Sequence, residues 1–86
     1  MEIVFSVNAL KDLKYWRKTN NTEIQNRIKE LIEAILENPK TGVGNPEPLK
    51  HEYSGCWSRR INKEHRIIYN FDDEKINIIS LRMHYK

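Results

Sequence analysis

Eighty-six residues, with 15 Lys and Arg against 12 Asp and Glu, predict one small domain spanning residues 1–86 with a modest core and a formal net charge of +3. A single cysteine excludes an internal disulfide, and we expect no signal peptide or membrane span, because no stretch is apolar enough. The sequence therefore predicts a soluble, cytoplasmic protein whose basic excess lies in residues 50–66, where five basic residues face two acidic ones.

The N-terminal half predicts a strand followed by two helices. Apolar residues alternate over residues 3–7, which is the period of a short strand with one buried face. Helical spacing over residues 9–16 predicts a short helix that ends near the polar cluster at 19–21. A second helix is predicted over residues 24–35, and Asn38 before a proline ends it.

The C-terminal half predicts an ordered loop and then three strands. Residues 40–55 contain turn-forming glycines and two prolines, and strand patterns follow at 57–61, 65–71 and 76–84. Connections of three and four residues favour an antiparallel meander. The order β-α-α-β-β-β predicts an α+β fold in which two helices pack on one face of an antiparallel sheet.

The first hairpin predicts two arginines side by side. If residues 62–64 form its loop, Arg60 lies directly opposite Arg66 on the same sheet face. Like charges in that position destabilise a sheet, whereas a phosphate bound between them would stabilise the pair. Ion pairs with nearby carboxylates are the alternative. Arg59 should face the core, with its stem buried and its head at the sheet margin.

The register of the second hairpin has two solutions. Pairing odd positions with odd positions unites the apolar residues and brings Arg82 and His84 to the face of Arg60 and Arg66, with a bulge or a three-residue loop absorbing the difference. A four-residue loop at 72–75 would pair odd with even and turn His84 away. We expect the odd–odd register.

Separate segments carry the groups that RNA cleavage requires without a metal. A base must remove the 2′-OH proton, an acid must protonate the departing 5′ oxygen, and cations must stabilise the transition state. Two prolines flank the candidate base and hold it in a stiff segment. The candidates are Glu47 as base, His84 as acid, Arg60 and Arg66 as a phosphate clamp, Lys50 as a second phosphate contact and Tyr85 as a stacking residue.

Each candidate also has an ordinary interpretation. Glu47 could be a surface carboxylate, His84 a terminal surface histidine, and Tyr85 could pack against the first strand. No C-x-x-C or H-x-x-x-H spacing occurs, so we expect no metal and no other cofactor. Spacing alone therefore leaves open both a ribonuclease and an RNA-binding module without catalysis.

Four motifs occur in a characteristic order: GNPEPLKH at 44–51, SGCWSRRI at 54–61, EHR at 64–66 and HY at 84–85. With them, the whole chain resembles the YoeB (Txe) toxins of the RelE/ParE superfamily. The resemblance implies an mRNA interferase that cuts messenger RNA in the A site of the 70S ribosome and inhibits translation. It also implies inhibition by a YefM-type antitoxin, a homodimer and a RelE-like fold.

The resemblance also assigns roles to individual residues. It makes Glu47 the general base, Arg66 the transition-state arginine, His84 the general acid, Tyr85 the terminal aromatic, and Lys50 and Arg60 substrate-binding residues. The chain departs from the family pattern at Asn45, Cys56, Met83 and Lys86. A ParE-like toxin without catalysis is the competing class, and ParE-type relatives generally lack this base, arginine and acid. A ribosome-independent ribonuclease would share every residue named.

Overall fold

The computed structural model describes residues 1–83, with the side chains of residues 1–82. The elements are β1 (Glu2–Phe5), α1 (Val7–Lys18), α2 (Thr22–Glu37), β2 (Glu47–Pro48), a 3-10 turn (His51–Tyr53), β3 (Trp57–Arg60), β4 (Arg66–Phe71) and β5 (Lys75–Met83). This order confirms the predicted β-α-α-β-β-β arrangement and adds β2 inside the predicted loop.

Local capping sets where both helices begin. The hydroxyl oxygen of Ser6 accepts a hydrogen bond from the Ala9 amide at 3.0 Å, so α1 starts at Val7 and the first strand is shorter than predicted. Asn21 caps α2 in the same way, accepting from the Ile24 amide at 3.1 Å. The helix ends at its C-cap Asn38, before the proline, as predicted.

The main core lies between the two helices and one face of the sheet. The apolar face of α2 and the inward residues of α1 pack against β4, β5 and the end of β3. The two predicted helices therefore cover one sheet face, and the α+β class is confirmed. The buried members of this core are Ala9, Trp16, Ile24, Ile28, Leu31, Ile35, Ile61, Ile67, Tyr69, Ile76, Ile78 and Leu81.

The sheet is mixed, with strand order β1-β5-β4-β3-β2. The pairs β2–β3, β3–β4 and β4–β5 are antiparallel, whereas β1 runs parallel to β5. The prediction of a wholly antiparallel sheet was therefore wrong for β1. Short loops determine the direction of the later strands, but two helices separate β1 from the rest, so no local turn determines its direction.

Side chains of α1 and of its N-cap residue Ser6 form hydrogen bonds with backbone groups in the half of β5 that does not pair with β1. Strand β1 pairs with β5 only as far as Ile78. Beyond it, the Leu81 amide donates to Asp12 at 2.9 Å, and the Trp16 indole donates to the Leu81 carbonyl at 3.0 Å. The Ser6 hydroxyl donates to the Ile79 carbonyl at 2.7 Å. Helix α1 thus holds the C-terminal half of β5 in place and covers its edge.

In the second hairpin Phe71 pairs with Ile76, which leaves the four residues 72–75 between the last paired positions, so the odd–odd register was wrong next to the turn. Asp72 accepts hydrogen bonds from two turn amides, and its own amide donates to the Lys75 carbonyl at 3.0 Å. Tyr69 pairs with Ile78, which places odd opposite even and brings Ile78, not Ile79, into the core. The carboxylate of Asp72 favours this loop over a three-residue one.

Two register shifts interrupt the alternation in the middle of this hairpin, one on each side of Ile68. Ile68 pairs with Ser80, and Arg66 pairs with Met83, with irregularities on either side of Ile68. The first shift gives the same-parity pair Ile68–Ser80, and Leu81 lies in the core as predicted. The second shift places even opposite odd again at Arg66 and Met83, so the odd–odd register was also wrong at the end of β5.

Candidate functional site

The sheet face opposite the helices gathers several of the predicted residues. Glu47 pairs with Ser58, and Ser58 in turn pairs with Ile68. Paired residues of antiparallel strands project to the same side, and so do residues two apart on one strand. Arg60 and Arg66 therefore share this face with Glu47. We call it the open face.

The predicted pairing of the two arginines is confirmed. Arg60 lies directly opposite Arg66, with Arg60 exposed and Arg66 half-buried. Within residues 1–83 neither guanidinium forms an ion pair; the ion pairs found there join Arg27 to Glu30 and His65 to Glu64. Like charges directly opposite each other destabilise a sheet, and guanidinium groups are well suited to binding an anion such as a phosphate.

One nitrogen of Arg66 is buried without a partner. Its Nη1 atom and the Ser58 hydroxyl are the buried side-chain polar atoms that have no hydrogen-bond partner among the described residues. Both lie on the open face. Burial of an unpaired polar group costs free energy. Such groups are therefore rare in folded proteins, and they are more typical of functional sites than of surfaces selected only for stability.

Glu47 lies on a short edge strand that the sequence reading missed. Strand β2 has only two residues, and backbone bonds hold it at both ends: Arg60 N donates to Gly44 O at 2.7 Å, and Leu49 N donates to Cys56 O at 2.9 Å. A proline in this strand is tolerated because the strand is at the sheet edge. The side chain of Glu47 is exposed, in agreement with the predicted stiff and accessible segment.

Of the remaining predicted site residues, Lys50 is described by the structure, whereas His84 and Tyr85 are not. Lys50 is exposed and immediately precedes the 3-10 turn. His84 and Tyr85 lie outside the described residues, and the last described position, Met83, is the register partner of Arg66.

Arg82 does not follow the expectation that it would join the arginine pair. Its guanidinium carbon lies 3.9 Å from the centre of the Tyr15 ring on α1. The register shift explains the difference, because it places Met83 rather than Arg82 opposite Arg66. The aromatic ring provides a cation–π partner instead.

The burial of Arg59 is greater than the sequence predicted. It faces the core as predicted, but it is 0% exposed, so its head is not at the sheet margin. Its Nε atom donates to the Tyr69 hydroxyl at 3.1 Å, and its two terminal nitrogens donate to backbone carbonyls of residues 38–43. Burial raises the pKa of Tyr69, and the hydrogen bond from Arg59 partly opposes that rise.

A run of two arginines at the end of a strand is the only signal that could have indicated this residue. Alternation places Arg59 on the core side, and a buried arginine requires several acceptors at once. The sequence does not show that a distant loop supplies them. Ser58 carries no signal of its own, since nothing local distinguishes a buried hydroxyl from an exposed one.

Among residues 1–83, no three His, Cys, Asp or Glu side chains lie together in a way that could hold a metal ion. In the same part of the chain, neither helix is long and apolar enough to cross a membrane.

Comparison with known proteins identifies the family to which the chain belongs. Residues 5–85 match the family model described as YoeB-like toxin of bacterial type II toxin-antitoxin system. The chain is therefore a toxin of the bacterial type II toxin–antitoxin class. Within that class, it belongs to the YoeB family.

Individual relatives extend over the full chain. The toxin YoeB of Synechocystis is 45% identical over 86 residues, covering 100% of this chain and 99% of the relative. The toxin YoeB of Escherichia coli K12 is 42% identical over 85 residues, covering 99% of this chain and 100% of the relative. These proteins share the whole length of the domain, not one motif.

Solved structures give the same result for the fold. A YoeB/ParE toxin from Agrobacterium tumefaciens superposes with a TM-score of 0.92 at 34% identity, covering 99% of this chain and 100% of that one. The YoeB chain of a YoeB–YefM complex from Staphylococcus aureus has a TM-score of 0.88 at 43% identity, with 99% and 98% covered. A YoeB dimer from the same organism has a TM-score of 0.90 at 42% identity, with the same shares covered.

Proposed function

We propose that this toxin is a ribosome-dependent endoribonuclease that cleaves messenger RNA in the A site and so inhibits translation. Cleavage proceeds by attack of the 2′-OH on the adjacent phosphate and uses no metal. The observation that carries the proposal is the open face, which Glu47 shares with a facing pair of arginines that have no carboxylate partner within residues 1–83.

The residues divide the chemistry among them. Glu47 withdraws the 2′-OH proton, and Arg66 stabilises the negative charge that develops on the phosphate oxygens. Arg60 and Lys50 hold the neighbouring backbone, because an arginine fork binds two phosphate oxygens and a lysine acts as a point charge. His84 delivers the proton to the departing oxygen and Tyr85 stacks on a base; both roles follow from the family motif.

The proposal includes a protein partner and a second copy of the chain. The similar Staphylococcus aureus toxin is described in a complex with YefM and as a dimer. We propose that this chain likewise forms a homodimer in the cytoplasm and binds a YefM-type antitoxin. An acidic segment of the antitoxin on the open face would neutralise Arg60 and Arg66 and exclude the phosphate.

The test is cleavage of a defined message on programmed 70S ribosomes. Glu47→Gln, Arg66→Ala and His84→Gln should each lower the single-turnover rate by at least about tenfold, because each removes one contribution to the transition state. Glu52→Gln is the matched control, since it removes an exposed carboxylate that lies five residues from Glu47 in the chain and outside β2. Normal rates in any two of the three variants would refute the assignment.

Two further measurements test the reaction type. The upstream product should end in a 2′,3′-cyclic phosphate, and a 2′-deoxy nucleotide at the cut position should abolish cleavage. Cleavage of the deoxy message would exclude attack by the 2′-OH. If the Glu47→Gln variant remained as toxic in growing cells as the wild type, a toxin without catalysis would replace the proposal.

A further inference from the structure

We propose that Arg59 is a positioning residue that holds the loop of residues 38–44 and thereby sets the position of Glu47 on the open face, which Glu47 shares with Arg66. The inference rests on the proposed function, in which Glu47 is the general base. It assigns a role to a buried cation that faces the core and, within residues 1–83, pairs with no carboxylate.

The guanidinium of Arg59 is surrounded by loop carbonyls. Its Nη2 atom donates to Asn38 O at 2.6 Å and to Thr41 O at 2.9 Å, and its Nη1 atom donates to Val43 O at 3.1 Å. Nε donates to the Tyr69 hydroxyl, as described above. Asn38 also caps the C-terminus of α2, so the partial negative charge of that helix end helps to compensate the cation.

The loop closes tightly around this side chain. A Cβ atom at Gly42 would lie 3.1 Å from Arg59 Nη1, and one at Gly44 would lie 3.0 Å from Arg59 Cβ. Both glycines have positive φ angles, 119° and 88°, which other residues rarely adopt. The Tyr69 hydroxyl donates in turn to Pro39 O at 2.6 Å, so it bridges the arginine and the start of the loop.

The end of the loop leads directly to the open face. Gly44 O accepts from the amide of Arg60, and only Asn45 and Pro46 separate Gly44 from Glu47. Glu47 then pairs with Ser58. Arg59 is therefore flanked on β3 by the residue that pairs with Glu47 and by the residue that pairs with Arg66. A shift of the loop would move the base relative to the arginines.

An arginine is required because its donors point in several directions in one plane. The single side chain of Arg59 donates four hydrogen bonds to four acceptors, and a lysine ammonium cannot reproduce that geometry. Arg59→Lys should therefore loosen the loop while keeping the charge. Tyr69→Phe is the milder variant, because it keeps the buried ring and removes one acceptor from Arg59 and the donor to Pro39 O.

The experiment combines a double-mutant cycle with hydrogen exchange. Tyr69→Phe and Arg59→Lys are measured in the wild-type and Glu47→Gln backgrounds for kcat and KM on programmed ribosomes, and amide exchange is followed over residues 41–49. The matched control is Ile76→Val, which removes one buried methylene from β5 without touching the loop.

We expect kcat to fall at least about fivefold in Tyr69→Phe with KM unchanged, faster exchange over residues 41–49, and no further loss in the Glu47→Gln background. Ile76→Val should change neither kcat nor loop exchange. Additive losses in the double variant, or a control that loses as much kcat as Tyr69→Phe, would overturn the proposal. If Arg59→Lys does not fold, the Tyr69→Phe cycle still decides.

Failure of the proposed function gives a different result. If Glu47→Gln alone cleaved at the wild-type rate, the general base would be wrong, and with it the catalytic consequence of the loop. Faster exchange over residues 41–49 in Tyr69→Phe would then still support the claim that Arg59 restrains the loop. Unchanged exchange would refute that claim as well.

Discussion

Gly44 and Gly55 form a natural pair for testing how tightly the loop before Glu47 packs. Both have positive φ angles, 88° and 91°, so alanine at either position meets the same backbone strain. Their surroundings differ. A Cβ at Gly44 would lie 2.7 Å from Leu31 Cδ2 and 3.0 Å from Arg59 Cβ, whereas nothing lies within 4 Å of a Cβ at Gly55.

The expected free energies follow from these contacts. Backbone strain should cost about 1–2 kcal/mol at either glycine, and the lower entropy of the unfolded chain should offset about 0.4–1 kcal/mol of it. Gly55→Ala should therefore destabilise the domain by about 1 kcal/mol. Gly44→Ala adds overpacking against two side chains, roughly 1–3 kcal/mol, for a total of about 2–4 kcal/mol.

Urea denaturation of the two variants measures the difference, provided that the slope m is unchanged. At a temperature where both remain folded, Gly44→Ala should also slow cleavage while Gly55→Ala does not. Equal destabilisation by the two substitutions would refute the reasoning, because it would mean that Leu31 and Arg59 do not restrict the loop.

Three further predictions concern the rest of the fold. Trp16→Phe should lower the free energy of unfolding by about 1–3 kcal/mol, because it leaves the Leu81 carbonyl unpaired. The control is Trp57→Phe, whose indole has no hydrogen-bond partner within residues 1–83, and chemical denaturation should show a smaller loss for it. Two turn amides lower the pKa of Asp72 below its ordinary value of 3.8, so the ionised form favours folding above that value and the contribution is lost as the pH falls through the lower, folded pKa. The difference in unfolding free energy between wild type and Asp72→Asn should therefore shrink between about pH 6 and about pH 3, and a constant difference would contradict this. Burial raises the pKa of Tyr69 above the ordinary tyrosine value of 10.0, so above that pH the hydroxyl ionises more readily in the unfolded chain and ionisation favours unfolding. With rising alkaline pH, wild type should therefore lose stability more steeply than Tyr69→Phe.

Patterns that depend on neighbours in the chain were predicted well. The apolar period of α2 and its end at Asn38 require only residues three and four apart and a following proline. The opposition of Arg60 and Arg66 follows from a three-residue loop between two strands. The placement of Glu47 in an exposed, stiff segment follows from its flanking prolines.

Features that depend on distant residues were not predicted. The parallel direction of β1 is determined by packing across two helices. The register shifts in the second hairpin are accompanied by hydrogen bonds between Leu81 and two side chains of α1, Asp12 and Trp16, which lie more than sixty residues away in sequence. Such contacts leave no periodic signal in either segment.

The amino-acid sequence by itself determined the element order, the arginine pair and the family motifs, because each depends on local spacing and residue type. The tertiary structure decided that Arg59 is fully buried among loop carbonyls and that Glu47 shares one sheet face with Arg60 and Arg66. A buried guanidinium needs acceptors from several segments at once, and only the folded chain brings those segments together.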